Sequence, residues 1–316
     1  MELMDAPNHT SHDPKPLDPG HPYSRTTHIP FPLYRQIVSA APYGYDYFVS
    51  LPPSYNSSTD RSYPLILFLH GSGESKRGKD ETYAALRHGI PKIILCYDKL
   101  KSGEEPRIDI PLAGRFKGQN PNKGKGRNDA DLSTKPVPEE VCKIVAEEFI
   151  TVTPVLDMND GYGWNASVLT SLLDTIMSQY RADPARVHVT GFSMGGYGTW
   201  DLALHTPDRF ATLSPVCGGG DKLRVSLIKD IPQWVHHGEL DDIVPIGASE
   251  EMVKALNAVG AKEVKFSRYP DAAHDSWTEA YNNPELWRWM LDHKRADGGR
   301  KVELPEDDKV DVELVK

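Results

Sequence analysis

Apolar side chains in this chain fall into short continuous runs separated by stretches of helical spacing, and that alternation sets the expected fold class. The run Tyr63-Pro64-Leu65-Ile66-Leu67-Phe68-Leu69-His70 suits a strand covered on both faces. Strand patterns recur at 149–155, 186–192, 210–216, 233–237 and 263–269. Helical periods are expected at 167–180, 193–206 and 248–259, the second ended by Pro207. A closing helix over 284–293 carries Leu286, Trp287, Trp289, Met290 and Leu291. Another helix is expected over 80–88, with Gly89 as its stop. Residues 34–51 alternate in the strand manner around a break at Ala41-Pro42-Tyr43-Gly44 and predict a strand pair. Together these patterns predict an α/β fold: a mostly parallel, doubly wound sheet with helices on both faces.

Three segments stand outside this rhythm. Residues 1–29, rich in Pro, His, Ser and Asp, predict a flexible N-terminal arm. Residues 101–140 form a long loop insertion with basic clusters around Arg115-Phe116-Lys117 and Lys123-Gly124-Lys125-Gly126-Arg127. An insertion of that length in a compact domain is either a solvated excursion or a lid over a site. Residues 296–316 are a charged C-terminal tail, leaving 30–295 as the main domain.

Composition narrows the class of partner. With 39% hydrophobic and 26% charged residues, the chain has the balance of a soluble globular protein. Its net charge of −9 argues against nucleic acid, whose phosphates need a basic face. No run approaches the ~20 apolar residues that span a bilayer. The N-terminus lacks a basic start and an apolar core, so no export signal is visible. Cys96, Cys142 and Cys217 are odd in number and too few for a disulfide framework, so a cytoplasmic protein with free thiols is expected. Nothing in the sequence fixes an oligomeric state.

The chemistry concentrates at Val187-His188-Val189-Thr190-Gly191-Phe192-Ser193-Met194-Gly195-Gly196. This is a G-x-S-x-G pattern with an apolar strand running in and a helical pattern running out. A turn that tight strains the central residue and admits only small side chains two positions away on either side. It would lift the Ser193 hydroxyl above the sheet edge at a helix N-terminus, where negative charge is favoured.

A serine hydroxyl is a weak nucleophile and needs a base. Behind such an elbow the partners follow in the order acid, then histidine. The turn after the strand at 233–237 offers Asp241 and Asp242 as acids. His274 lies in a loop after the last strand, preceded by Ala272 and Ala273, which leave room for an imidazole. His236 and His237 fall within a strand and read as packing groups. Acyl transfer also needs fixed N–H donors for the oxyanion. The N–H of Met194 is one candidate, and the turn His70-Gly71-Ser72-Gly73-Glu74 offers the other, from Ser72 or Gly73.

With these pieces in view, the chain resembles the phospholipase/carboxylesterase-like branch of the α/β-hydrolase superfamily, and in particular its predicted-peptidase and feruloyl-esterase-like members. The resemblance runs from about Arg35 to His293 and rests on four blocks. They are His70-Gly71-Ser72-Gly73-Glu74, Gly191 to Trp200, His237-Gly238 with Asp241 and Val244-Pro245, and His274-Asp275-Ser276-Trp277. The family pattern His-Gly-x-x-Asp-x-x-Val-Pro implies Asp241 as the acid, and the resemblance suggests that the turn Pro215 to Asp221 shapes the pocket floor. Gly73, Trp164 and Trp277 are candidate substrate-binding residues, although either tryptophan could instead be core. Two departures keep substrate preference from being carried over. Ser75 and Lys76 intervene before Arg77-Gly78, and the 101–140 insertion is longer than usual for the group.

The expectation is therefore a serine esterase acting on a small-molecule ester through Ser193, His274 and Asp241, with no metal and no cofactor. Thioester and peptide hydrolysis are rivals on the same machinery. A non-catalytic ligand-binding protein on a hydrolase scaffold is a rival from another class.

Overall fold

The computed structural model of the chain describes residues 26–29, 44–77, 79–110, 134–159 and 161–299. The first strand expected within 34–51, most of the predicted arm, the centre of the 101–140 insertion and the tail beyond 299 lie outside these residues.

Among the described residues eight strands form one sheet: β1 (Thr26–Ile29), β2 (Asp46–Ser50), β3 (Tyr63–Leu69), β4 (Ile150–Val155), β5 (Ala182–Phe192), β6 (Thr212–Val216), β7 (Gln233–Gly238) and β8 (Val264–Tyr269). Their spatial order is β1-β2-β4-β3-β5-β6-β7-β8. β1 and β2, and β2 and β4, pair antiparallel, whereas the pairs from β4 to β8 are parallel. Among the same described residues seven α-helices accompany them: α1 (Gly89–Lys101), α2 (Glu139–Glu148), α3 (Ala166–Gln179), α4 (Met194–His205), α5 (Gly247–Ala258), α6 (Trp277–Tyr281) and α7 (Pro284–Asp292).

The strand period of two sorts side chains between two cores. From β3, Leu65, Leu67 and Leu69 enter a cluster shared with Leu169, Leu172 and Ile176 of α3 and Trp200 of α4. Ile66 and Phe68 enter the opposite cluster, with Ile90, Ile93 and Ile94 of α1, Val141 and Val145 of α2, and Trp287 and Met290 of α7. Each such fully buried side chain contributes about 1.5–3 kcal/mol relative to exposure. This is the doubly wound sheet the pattern predicted. In such a sheet the loops at the carboxyl ends of the parallel strands form the natural site. Among the described residues, no helix is long and apolar enough to cross a membrane.

Several elements differ from the sequence reading. Gly89 does not stop a helix but opens α1. Its backbone adopts φ +66°, and a Cβ there would collide with the Phe68 ring, so the glycine answers to a tertiary neighbour. The segment before it, expected as a helix, winds as tighter 3-10 turns over Lys79–Leu86. The last residues of the predicted arm, Thr26–Ile29, form the edge strand β1. Helix α2 begins at Glu139, inside the predicted insertion.

Candidate active site

Four loops at the carboxyl ends of β3, β5, β7 and β8 converge on one place. Strand β5 ends at Phe192 and α4 begins at Met194, so Ser193 alone makes the turn, at φ 55° and ψ −119°. Only Ser193 and Cys217 among the described non-glycine residues have positive φ. Holding a residue in such a region costs of order 1–3 kcal/mol, which the surrounding packing must offset. The Ser193 N–H is anchored on the Val216 carbonyl at 3.0 Å.

His274, in the loop after β8, places Nε2 2.9 Å from Ser193 Oγ. Its Nδ1 lies 2.8 Å from Asp241 Oδ2. A carboxylate can only accept, so Nδ1–H donates to Asp241 and Nε2 is left to accept the serine proton. The other Asp241 oxygen, Oδ1, accepts the N–H groups of Ile243 at 3.0 Å and Val244 at 2.9 Å. Burial works against the charged form of Asp241. Donors from His237 and His274, and the Val244 N–H, outweigh it and hold the carboxyl well below the usual carboxylate range. Asp242 is exposed, so of the two acids left open by the turn only Asp241 faces His274.

The loops after β7 and β8 are joined backbone to backbone. Leu240 N–H donates to the Ala272 carbonyl at 3.0 Å. A Cβ on Gly238 would run into the carbonyls of Ala272 and Ala273, so the glycine lets the histidine loop pass close to the acid loop.

After β3, the His70-to-Glu74 segment makes a 3-10 turn at Ser72–Glu74. His70 is fully buried and latches the turn. Its Nε2 accepts the Leu156 N–H at 3.1 Å, which leaves Nδ1–H to donate to the Gly71 carbonyl at 2.7 Å. Glu74 is buried beneath the turn, and burial pushes its carboxyl up to about 7 despite Arg87 and the N–H groups of Glu74 and Gly71. Ser72 is exposed, and open space surrounds the position of a Cβ on Gly73. Met194 is the first residue of α4, where the N–H has no carbonyl four residues back within the helix.

The two tryptophans are packed groups. Trp277 is 5% exposed, stacks on Phe192 at 4.3 Å and meets the His274 ring edge-on at 5.2 Å, so it backs the imidazole from beneath. Trp164 is half-buried, packs edge-on against His70 and Tyr45, and donates Nε1–H to the His70 carbonyl at 3.2 Å. Both pack against the loops that carry the candidate site.

The sequence reading missed the place of His237. Taken as a packing group, it instead sits with Nε2 3.3 Å from Asp241 Oδ2. The i, i+4 spacing of the two residues across a strand end is the one signal that could have found it. His236 does pack: it stacks between Trp234 and Tyr269, and burial lowers it to about 3. Cys217 lies in the predicted pocket-floor turn, fully buried, and burial together with the nearby Asp241 pushes its thiol well above the usual range. Cys217, Asp241 and His274 are the one group of metal-binding side chains that lie within 4.8 Å of one another among the described residues. Two of its three members are already bonded to each other.

Comparison with known proteins gives a consistent picture. A family model described as a putative esterase matches residues 151–288, a span that contains Ser193, Asp241 and His274. A putative carboxymethylenebutenolidase of Escherichia coli O157:H7 is 30% identical over 197 residues, which cover 51% of this chain and 72% of that protein. Poly(3-hydroxyalkanoate) depolymerase C of Paucimonas lemoignei is 35% identical over 71 residues, or 22% of this chain and only 17% of the depolymerase. A thermostable esterase of known structure superposes with a TM-score of 0.57 at 23% identity, over 86% of this chain and 64% of that one. The last likeness is one of fold.

Proposed function

The chain belongs to the α/β-hydrolase superfamily, among its carboxylic ester hydrolases, and on that footing we propose that it is a serine esterase working through an acyl-enzyme on Ser193. The observation that carries this reading is the continuous relay from Ser193 Oγ through His274 to Asp241, with contacts of 2.9 and 2.8 Å.

His274 Nε2 takes the Ser193 proton as the oxygen attacks the ester carbonyl, and Asp241 holds the imidazole in the correct tautomer and stabilises its charged form. The N–H of Met194 and a donor from the Ser72–Gly73 turn receive the oxyanion. Each such donor contributes about 3–4 kcal/mol to lowering the barrier. His274 then protonates the departing alcohol. In the second half it removes a proton from water, which attacks the acyl carbonyl, and returns that proton to Ser193 Oγ as the acyl–oxygen bond breaks, releasing the acid.

Oxygen esters are favoured over thioesters and peptides by the family description, which is esterase. The substrate is a small-molecule carboxylic ester. The three cysteines are buried and unbridged, which suits a reducing compartment and supports a cytoplasmic enzyme.

A fluorophosphonate probe tests the reading. It should label the wild-type protein on Ser193 and abolish its turnover of p-nitrophenyl acetate, whereas Ser193→Ala should take no label and show no turnover. A folded wild-type protein that takes no label and cleaves no activated ester would return the chain to the ligand-binding alternative. Side-by-side turnover of oxygen ester, thioester and anilide analogues of one acyl group separates the enzymatic readings.

A further inference from the structure

We propose that His237 is a positioning residue for the triad acid, holding the Asp241 carboxylate in line with His274 both directly and through the Val244 peptide. The inference rests on the reading of Ser193, His274 and Asp241 as the catalytic relay.

The protonation of His237 follows from its neighbours. Nε2 lies 2.8 Å from the Val244 carbonyl oxygen and 3.3 Å from Asp241 Oδ2. Both are acceptors only, so Nε2 carries a proton aimed chiefly at the carbonyl, with the carboxylate alongside. Nδ1 lies 2.7 Å from Ser249 Oγ, in the first turn of α5, and Ser249 Oγ in turn lies 2.9 Å from the Gly218 carbonyl. The side chains of His237 and Asp241 are both fully buried, so bulk water does not compete for these contacts.

The Val244 peptide is therefore clasped at both ends. Its carbonyl accepts from His237 and its N–H donates to Asp241 Oδ1 at 2.9 Å. Asp241 Oδ2 meets the His274 Nδ1–H at 2.8 Å, with His237 as its second neighbour. Without His237, the Val244 carbonyl would be orphaned and the 241–244 turn free to rotate the carboxylate off the imidazole. A misplacement of about 1 Å at a reacting group can cost on the order of 100-fold in rate.

A signature follows that a purely structural residue would not produce. The relay works with a neutral imidazole on His274 beside the Asp241 carboxylate, so its active form carries net negative charge. An N–H beside the carboxylate favours that form, so its removal should make the pair hold a proton more tightly. The acid limb of the activity profile then moves to higher pH. Of the other titratable groups facing the pair, Cys217 and Tyr197 lie beside Asp241; their values are both raised and they stay neutral across that limb. Asp275 lies beside His274, and burial pushes its carboxyl up to about 6; it is common to every variant, so the shift is read against wild type.

The test uses the full chain with p-nitrophenyl acetate and compares His237→Leu, His237→Gln and Ser249→Ala with wild type. His237→Leu should lower kcat by roughly tenfold or more with KM nearly unchanged, and should raise the acid limb by about half a pH unit. His237→Gln, which can present an amide N–H to the same acceptors, should recover most of both. The proposal is overturned if a folded Leu variant keeps the wild-type kcat and limb. It is equally overturned if kcat falls with an unmoved limb and no rescue by Gln. Should the Leu variant fail to fold, Ser249→Ala decides: it keeps the imidazole but removes its anchor, and an unmoved limb there overturns the proposal. Ser193→Ala run in parallel separates the two claims, because turnover that survives it would refute the triad and not the role of His237 within it.

Discussion

A Cβ on Gly195 would run into the backbone carbonyl of Leu69, the last residue of β3. The first turn of α4 thus lies directly on the central strand, and this contact holds Ser193 at the strained apex of the elbow. Gly195→Ala should force the two apart at a cost of about 1–3 kcal/mol, with Ser193 displaced. Thermal denaturation should show the lower stability, and fluorophosphonate labelling should slow by on the order of tenfold or more. Wild-type stability and labelling in this variant would contradict the contact.

Asp241→Asn keeps the shape of the acid but presents an amide to His274. Activity should fall by on the order of 10³- to 10⁴-fold while the fold persists, a loss read from kcat and circular dichroism. The same carboxyl bears on acid stability. Its folded-state pKa is depressed, so the stability it contributes is present above the ordinary carboxylate value and is lost as pH falls towards the folded one. Acid unfolding of the wild type should therefore be steeper than that of Asp241→Asn.

Gly238 sets the distance between the acid loop and the histidine loop. Gly238→Ala should push the Ala272–Ala273 backbone outward and lengthen the contact between Asp241 and His274. We expect kcat to drop roughly 10- to 100-fold, with KM much less affected. An unchanged kcat would mean that the loops adjust independently.

Glu74 behaves in the opposite sense to Asp241. Its carboxyl is pushed up to about 7 by burial, so the folded state holds the proton more tightly than the unfolded chain does. That contribution is full below the ordinary value of about 4.3 and is lost as pH rises through about 7. Gln at this position cannot ionise. The melting temperature of Glu74→Gln relative to wild type should therefore climb between about pH 5 and pH 8. A difference that stays flat over that range would show that Glu74 is charged in the fold.

Much of this was legible in the sequence because the signals are local. The apolar run at 63–70 and the spacing of Gly191, Ser193 and Gly195 specify a buried strand and a strand–helix elbow without reference to anything distant. The chain order of Asp241 and His274 after the elbow narrowed the partners, and of the two candidates in the acid loop the family pattern pointed to Asp241, which faces His274. What escaped depends on neighbours far along the chain. Gly89 reads equally well as a helix stop, and only the Phe68 ring against its Cα makes it a helix start. His237 looks like any strand histidine until the turn brings Val244 and Asp241 back to it. The ring contacts of Trp164 with His70 and of Trp277 with His274 likewise depend on neighbours far along the chain or across a loop.

The central claim is that an acyl group passes through Ser193. Mixing the protein with excess p-nitrophenyl acetate, quenching within the first turnovers and mapping the adduct by mass spectrometry tests it most directly. The account expects a stoichiometric burst of p-nitrophenol and one acetyl group on the peptide bearing Ser193. Sustained turnover by Ser193→Ala, or an acetyl group found only on another residue of an active wild-type protein, would contradict it.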